Sequence, residues 1–138
     1  MWTANRDGTR PQPYIKAIVV DTTTQTIVSQ PDIFNPSAAF AYPATCPNVD
    51  GTIGISLFQG SGGTDPMHVV GFLDGGSWVL QGTVVSTNAP IGGIWGDYLS
   101  CATHDPDGVD WVASGFSLQG GVAAQAVEPQ YVRFGVGP

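Results

Sequence analysis

The sequence predicts an all-β protein of short antiparallel strands, and three observations carry that expectation. Nineteen glycines and eleven prolines stand in 138 residues, more backbone punctuation than long helices tolerate. Hydrophobic residues make up 42% of the chain and charged residues only 11%, which supplies a core and excludes a disordered chain. The apolar runs are short, rich in β-branched and aromatic residues, and divided by Asp-Gly, Asn and Pro turns. One domain's worth of chain is present at this length.

In chain order, residues 1–12 are polar apart from Trp2. Tyr14 to Val20 (Y-I-K-A-I-V-V) reads as a strand, Asp21 to Thr24 as a turn, and Thr26 to Ser29 as the returning strand. Pro31 to Pro43 is a connector anchored by Ile33, Phe34, Phe40 and Tyr42. Ala44 to Pro47 and Thr52 to Phe58 are strands around the turn Asn48-Val49-Asp50-Gly51. Gln59 to Pro66 is a Gly/Ser loop. Met67 to Leu73 and Ser77 to Ser86 pair across Asp74-Gly75-Gly76, whose glycines accept the positive φ of a tight hairpin. After a loop over Thr87 to Gly93 comes the corner Trp95-Gly96-Asp97-Tyr98, then a strand from Leu99 to Thr103. Asp105-Pro106-Asp107-Gly108 is a turn, and Trp111 to Phe116 the strand that leaves it. Gln119 to Pro129 is a loop with one helical turn at Val122 to Ala126, and Tyr131 to Val136 is the last strand.

These pieces repeat. Tyr42, Asp50-Gly51 and Ile53-Gly54-Ile55-Ser56 match Tyr98, Asp107-Gly108 and Trp111-Val112-Ala113-Ser114 in order. Trp2-Thr3-Ala4 followed by Pro13-Tyr14-Ile15-Lys16 matches Trp111-Val112-Ala113 followed by Pro129-Gln130-Tyr131-Val132-Arg133. A period of about 55 residues with four short strands fits a β-propeller blade. The expected architecture is therefore antiparallel propeller-type blades, about two and a half repeats. Residues 1–36 form a partial blade, 37–90 a full one and 91–138 a second partial one. A compact β-sandwich is the alternative.

The net charge of −7, from ten Asp, Glu128 and only four cations, argues against holding a phosphate backbone. No basic amphipathic stretch or long apolar run suits a membrane. The first residues lack the apolar core of an export signal. Cys46 and Cys101 are the only thiols. An even pair in a Lys-poor chain is compatible with a disulfide in a secreted protein, and equally with two small buried apolar residues.

The Trp95 to Tyr98 corner, the Asp105 to Gly108 turn, W-V-A-S-G-F (Trp111 to Phe116) and E-P-Q-Y-V-R-F-G (Glu128 to Gly135) resemble the C-terminal blades of secreted bacterial β-propeller proteins. Those proteins are sialidase-like in fold and mostly of unassigned function. Their Asp-box, S-x-D-x-G-x-x-W, is matched loosely by Thr103 to Trp111, with one extra residue before Gly108. In that family the box is a structural turn, so Trp95, Gly96, Asp97, Tyr98, Gly108 and Trp111 are implied to be structural. The resemblance implies an extracellular or cell-surface location and a binding or assembly role, completed by self-association or by further blades of a longer chain.

Candidate chemistry is sparse. A sialidase-like site needs an arginine clamp, a Tyr nucleophile with a Glu partner, and an acid/base. Glu128, Tyr131 and Arg133 are the nearest match, with Tyr131 and Arg133 on one face of a strand. Against that, Glu128-Pro129 reads as a connector and Tyr131 as packing, so a non-catalytic binding or assembly role is the expectation. A fragment of a sialidase-like glycan-cleaving enzyme and a lectin-like carbohydrate-binding β-sandwich are the alternatives. Asp105, Asp107 and Asp110 form a calcium-type oxygen cluster or a solvated turn, and their spacing is not the EF-hand one. No other cofactor is indicated. His68 and His104 are isolated and expected to be half-exposed. Trp78, just after the Asp-Gly-Gly turn, is the aromatic expected to be exposed for stacking against a carbohydrate.

Overall fold

The computed structural model describes residues 1–61, 63–90, 92, 95–120 and 126–136. Among them are eleven strands and no α-helix. They are β1 (Trp2–Ala4), β2 (Tyr14–Lys16), β3 (Val19–Asp21), β4 (Thr26–Ser29), β5 (Ala39–Pro47), β6 (Ile53–Ser61), β7 (Thr64–Asp74), β8 (Ser77–Val85), β9 (Ser100–Thr103), β10 (Trp111–Leu118) and β11 (Val127–Phe134). The fold is all-β and every strand pairing is antiparallel.

Local turn chemistry explains the hairpins. Gly75 and Gly76 have φ of 54° and 86°, the backbone of a two-residue turn whose twist matches its strands. Asp21 accepts from the amides of Thr23 and Thr24, and Asn48 from those of Asp50 and Thr52. These side-chain caps fix the β3–β4 and β5–β6 turns. The strands then order as a meander β5-β6-β7-β8, a three-stranded sheet β11-β10-β9, and two hairpins, β1-β2 and β3-β4.

Several expected boundaries move. The Tyr14 to Val20 strand divides at Ala17-Ile18 into β2 and β3, and Trp2–Ala4 adds β1 opposite Tyr14–Lys16. The Gly/Ser loop after Phe58 is shorter than expected, because pairing continues to Ser61 opposite Thr64. Tyr42-Pro43 interrupts β5 as a bulge rather than ending a connector. The last strand begins at Val127, so Glu128 and Pro129 lie in it. Proline fits there because β11 is the edge of its sheet. The helical turn expected at Val122 to Ala126 falls, apart from Ala126, outside the described residues.

The four-stranded sheet is covered on both faces. Directly opposed residues of an antiparallel pair share a face. One face carries Ile55, Leu57, Val69 and Phe40, packed with Ile15 and Ile33 from the N-terminal segment. Ile33 is tied to Ile15 by two backbone hydrogen bonds of 3.0 Å. The other face carries Gly54, Ser56, Phe58, Val70 and Phe72 and receives the β9–β11 sheet. Trp111 stacks on Phe72 at 5.9 Å and on Phe134 at 5.6 Å, and its indole N–H donates to the Cys46 carbonyl at 2.9 Å. A Cβ on Gly54 would stand 2.5 Å from the Trp111 ring, and one on Gly115 2.6 Å from His68. Two glycines thus let the sheets approach.

Candidate functional site

The corner Trp95 to Tyr98 joins the two sheets. Trp95 packs on Phe58 at 4.9 Å and on Phe116 at 4.7 Å. Gly96 adopts φ 133°, and the ring of Tyr42 lies where its Cβ would be. Tyr42 has φ 58° and Tyr98 has φ 60°; Gly51 and Gly108 have φ 81° and 69°. Left-handed backbone is uncommon for tyrosine. The positions aligned by the repeat therefore share their unusual backbone as well as their residue type.

They differ in what covers them. The Tyr42 ring rests on Gly96, whereas Tyr98 is 89% exposed. Tyr98 stands beside the outer face of the β9–β11 sheet, where Ser114, Phe116, Val127 and Pro129 complete a recess of about 470 Å³. Tyr131 (73% exposed) and Arg133 lie on this face too, opposite Ser114 and Val112. Tyr131, read from the sequence as a packing residue, is solvated instead, on the edge strand of its sheet. Register places Val112, Ser114 and Phe116 as the counterparts of Gly54, Ser56 and Phe58. Those three β6 residues are where the three-stranded sheet docks.

Glu128, Tyr131 and Arg133 do not converge. Glu128 is exposed opposite Ser117, one face away from the other two. Arg133 turns to the acidic turn: its Nε donates to Asp110 Oδ2 at 2.8 Å and its Nη2 lies 2.7 Å from the same oxygen. Asp107 is 3.8 Å from Arg133 Nη2 and 4.0 Å from His104 Nδ1. Asp110 also returns its backbone carbonyl to the His104 amide at 2.9 Å. Asp105, exposed, takes no part in these pairs. Among the described residues no three His, Cys, Asp or Glu side chains gather as metal ligands.

A polar seam between the sheets escaped sequence reading. His68, expected to be half-exposed, is fully buried, with its Nε2 2.8 Å from the Ser56 hydroxyl. Ser117 accepts from the side-chain amides of Gln130 and Gln119 at 3.0 and 3.1 Å. The Thr83 hydroxyl lies 2.6 Å from Gln130 Oε1 and 2.9 Å from the His68 carbonyl. Burial pushes the His68 ring below its ordinary value, and Gln130 works weakly the other way. Ser56 and His68 are both 0% exposed, so this Ser–His pair meets no substrate and serves the packing. Its only sequence signal was the alternation of Ser56 and Ser117 with apolar neighbours.

Trp78 is half-buried rather than free. Its indole N–H donates to the Pro31 carbonyl at 2.6 Å, and the ring packs against the apolar core. It nevertheless lines a recess of about 370 Å³ with Phe34, Asp32 and Asn35. Asp32 is held there by Arg10 and Lys16 at 3.0 and 3.1 Å. Cys46 and Cys101 are free thiols on β5 and β9.

Comparison with known protein families, curated proteins and solved structures finds no match to this chain.

Proposed function

We propose that this chain is a run of β-propeller-type blades serving as a non-catalytic binding or assembly module of a secreted or surface protein. One observation carries the reading. Tyr42 and Tyr98 share a repeat position and a left-handed backbone, but the Tyr42 ring rests on Gly96 of the next corner whereas Tyr98 is 89% exposed. The outer face of β9–β11 is the counterpart of the β5–β8 face that receives a sheet; the Trp95 ring meets it at Phe116, and among the described residues no sheet packs upon it. Its exposed Tyr98, Tyr131 and Val127 form an apolar surface of the kind that marks association.

The same register favours one geometry of association. Val112 stands where Gly54 seats the Trp111 ring. A second copy continuing the stack head to tail, with Trp2 in the Trp111 role, would meet the Val112 side chain. Two outer faces packed on each other about a two-fold axis avoid that seat and close the assembly.

Light scattering at micromolar concentration tests this. The 14.4 kDa chain should weigh at least a dimer, and Tyr98→Glu with Tyr131→Glu should return it to monomer while leaving its circular dichroism intact. A wild-type chain that is monomeric and fully folded would overturn the reading.

A second reading, carbohydrate binding, is favoured by the recess of Trp78, Phe34, Asp32 and Asn35. An aromatic wall beside fixed polar groups is the usual chemistry of a sugar site. Nothing in the arrangement of Glu128, Tyr131 and Arg133 supports the glycan-cleaving alternative.

A further inference from the structure

β5 and β9 run beside each other where the two larger sheets meet. The Thr103 hydroxyl donates to the Pro47 carbonyl at 3.0 Å, the Val49 amide to the Gly108 carbonyl at 3.0 Å, and the Asn48 side chain to the Val109 carbonyl at 2.9 Å. Cys46 and Cys101 sit on the facing sides of these strands. Cys46 is opposite Gly54, the seat of Trp111, so its side chain leaves β5 toward the three-stranded sheet. Cys101 is opposite Ala113, on the Trp111 side of β10, so its side chain leaves β9 toward the four-stranded sheet. The Cys46 sulfur is 3.4 Å from the hydroxyl of Thr103, two residues from Cys101 on the same strand face. Cys46 is also the neighbour whose side chain and backbone bear on the Cys101 thiol.

We propose that Cys46 and Cys101 are a disulfide-forming site that ties the first strands of the two larger sheets together. The inference rests on this juxtaposition and holds whether or not the sheets are propeller blades. The electron acceptor is a small-molecule or protein disulfide. One cysteine thiolate attacks a sulfur of that oxidant, breaking its S–S bond, releasing one thiol and leaving a mixed disulfide. The second cysteine thiolate attacks the protein-side sulfur, expelling the other thiol and forming the Cys46–Cys101 bond. Two electrons pass to the oxidant, and the two cysteine protons end on its released thiols. Burial, with Cys46 close by, pushes the Cys101 thiol up to about 12. In the folded chain Cys101 therefore reacts slowly, and the bond forms fastest during folding. An oxidising compartment supplies the setting.

The test is refolding of the reduced full chain in a mixture of oxidised and reduced glutathione, read by intact mass, peptide mapping and thermal midpoint. The expected product is a chain lighter by two hydrogens, with one cross-linked peptide pair holding Cys46 and Cys101. Its midpoint should lie about 10 °C or more above that of the reduced chain, because the bond closes a loop of about 55 residues. Cys46→Ser and Cys101→Ser should each take one glutathione and lose the shift. Folded wild type that keeps two free thiols, carries two glutathione adducts, or gains no stability on cross-linking would overturn the proposal.

Discussion

Replacing Gly54 with alanine tests how the two sheets are held. The new Cβ would stand 2.5 Å from the Trp111 ring, so the ring must leave its place between Phe72 and Phe134. Each stacked pair contributes about 0.5–1.5 kcal/mol beyond area burial. The indole bond to the Cys46 carbonyl adds about 0.5–1.5 kcal/mol. Alanine restricts the unfolded chain and returns about 0.4–1 kcal/mol. Taking the middle of each range, the net loss is about 2 kcal/mol, a fall in thermal midpoint of about 7 °C for a chain of this size. Gly60 is the internal control, since a Cβ there meets nothing within 4 Å, and Gly60→Ala should stay within about 0.5 kcal/mol of wild type. Thermal unfolding followed by near-ultraviolet circular dichroism reads both the midpoint and the tryptophan environment. A Gly54→Ala chain as stable as Gly60→Ala, with an unchanged tryptophan signal, would refute the packing described.

Protonation of His68 should weaken the fold. Its folded value is lowered, so its contribution is fully present above the unfolded value of about 6.5 and is lost as pH falls below it. Thermal midpoints between pH 8 and 5 should fall for wild type and fall less for His68→Gln; parallel curves would remove His68 as the cause. Asp7 and Asp21, held below the usual carboxylate range first by backbone amides of Thr9 and Thr24 respectively, act in a lower window. Their contribution is present above about 3.8 and lost in stronger acid. The acidic turn should respond little to metal. With Arg133 on Asp110 and Asp107, chelator followed by calcium should leave the calorimetric midpoint unchanged, and a reversible rise with calcium would reassign Asp105, Asp107 and Asp110 as ligands.

What the sequence revealed was what local chemistry decides. Asp74-Gly75-Gly76 had to turn, and so did Asn48 to Gly51, because their side chains and φ preferences act within four residues. Thr26 to Ser29 was legible for the same reason. Long-range pairing was not. Ser61 and Thr64 extend β6 and β7 through a Gly/Ser stretch because each strand is supported by its neighbour, not by its own propensity. Val127 to Pro129 joins β11 because β10 offers partners from Phe116 to Leu118. Burial of polar groups was also hidden: His68 looks isolated until Ser56 is brought across from β6. Trp78 looked free because Pro31, whose carbonyl holds its indole, lies 47 residues away. Tyr42 and Tyr98 were paired by spacing alone, and their shared backbone is the finding that gives the pairing physical content.

The most direct test of a docking face on β9–β11 is mass-spectrometric footprinting of the tyrosines as protein concentration rises. Tyr42, 41% exposed, sits against Gly96 within one chain and supplies a concentration-independent reference. A docking face predicts that Tyr98 and Tyr131 label like free tyrosine in dilute solution and fall toward or below the Tyr42 rate when concentrated. Labelling of Tyr98 and Tyr131 that stays fast at every concentration would contradict it.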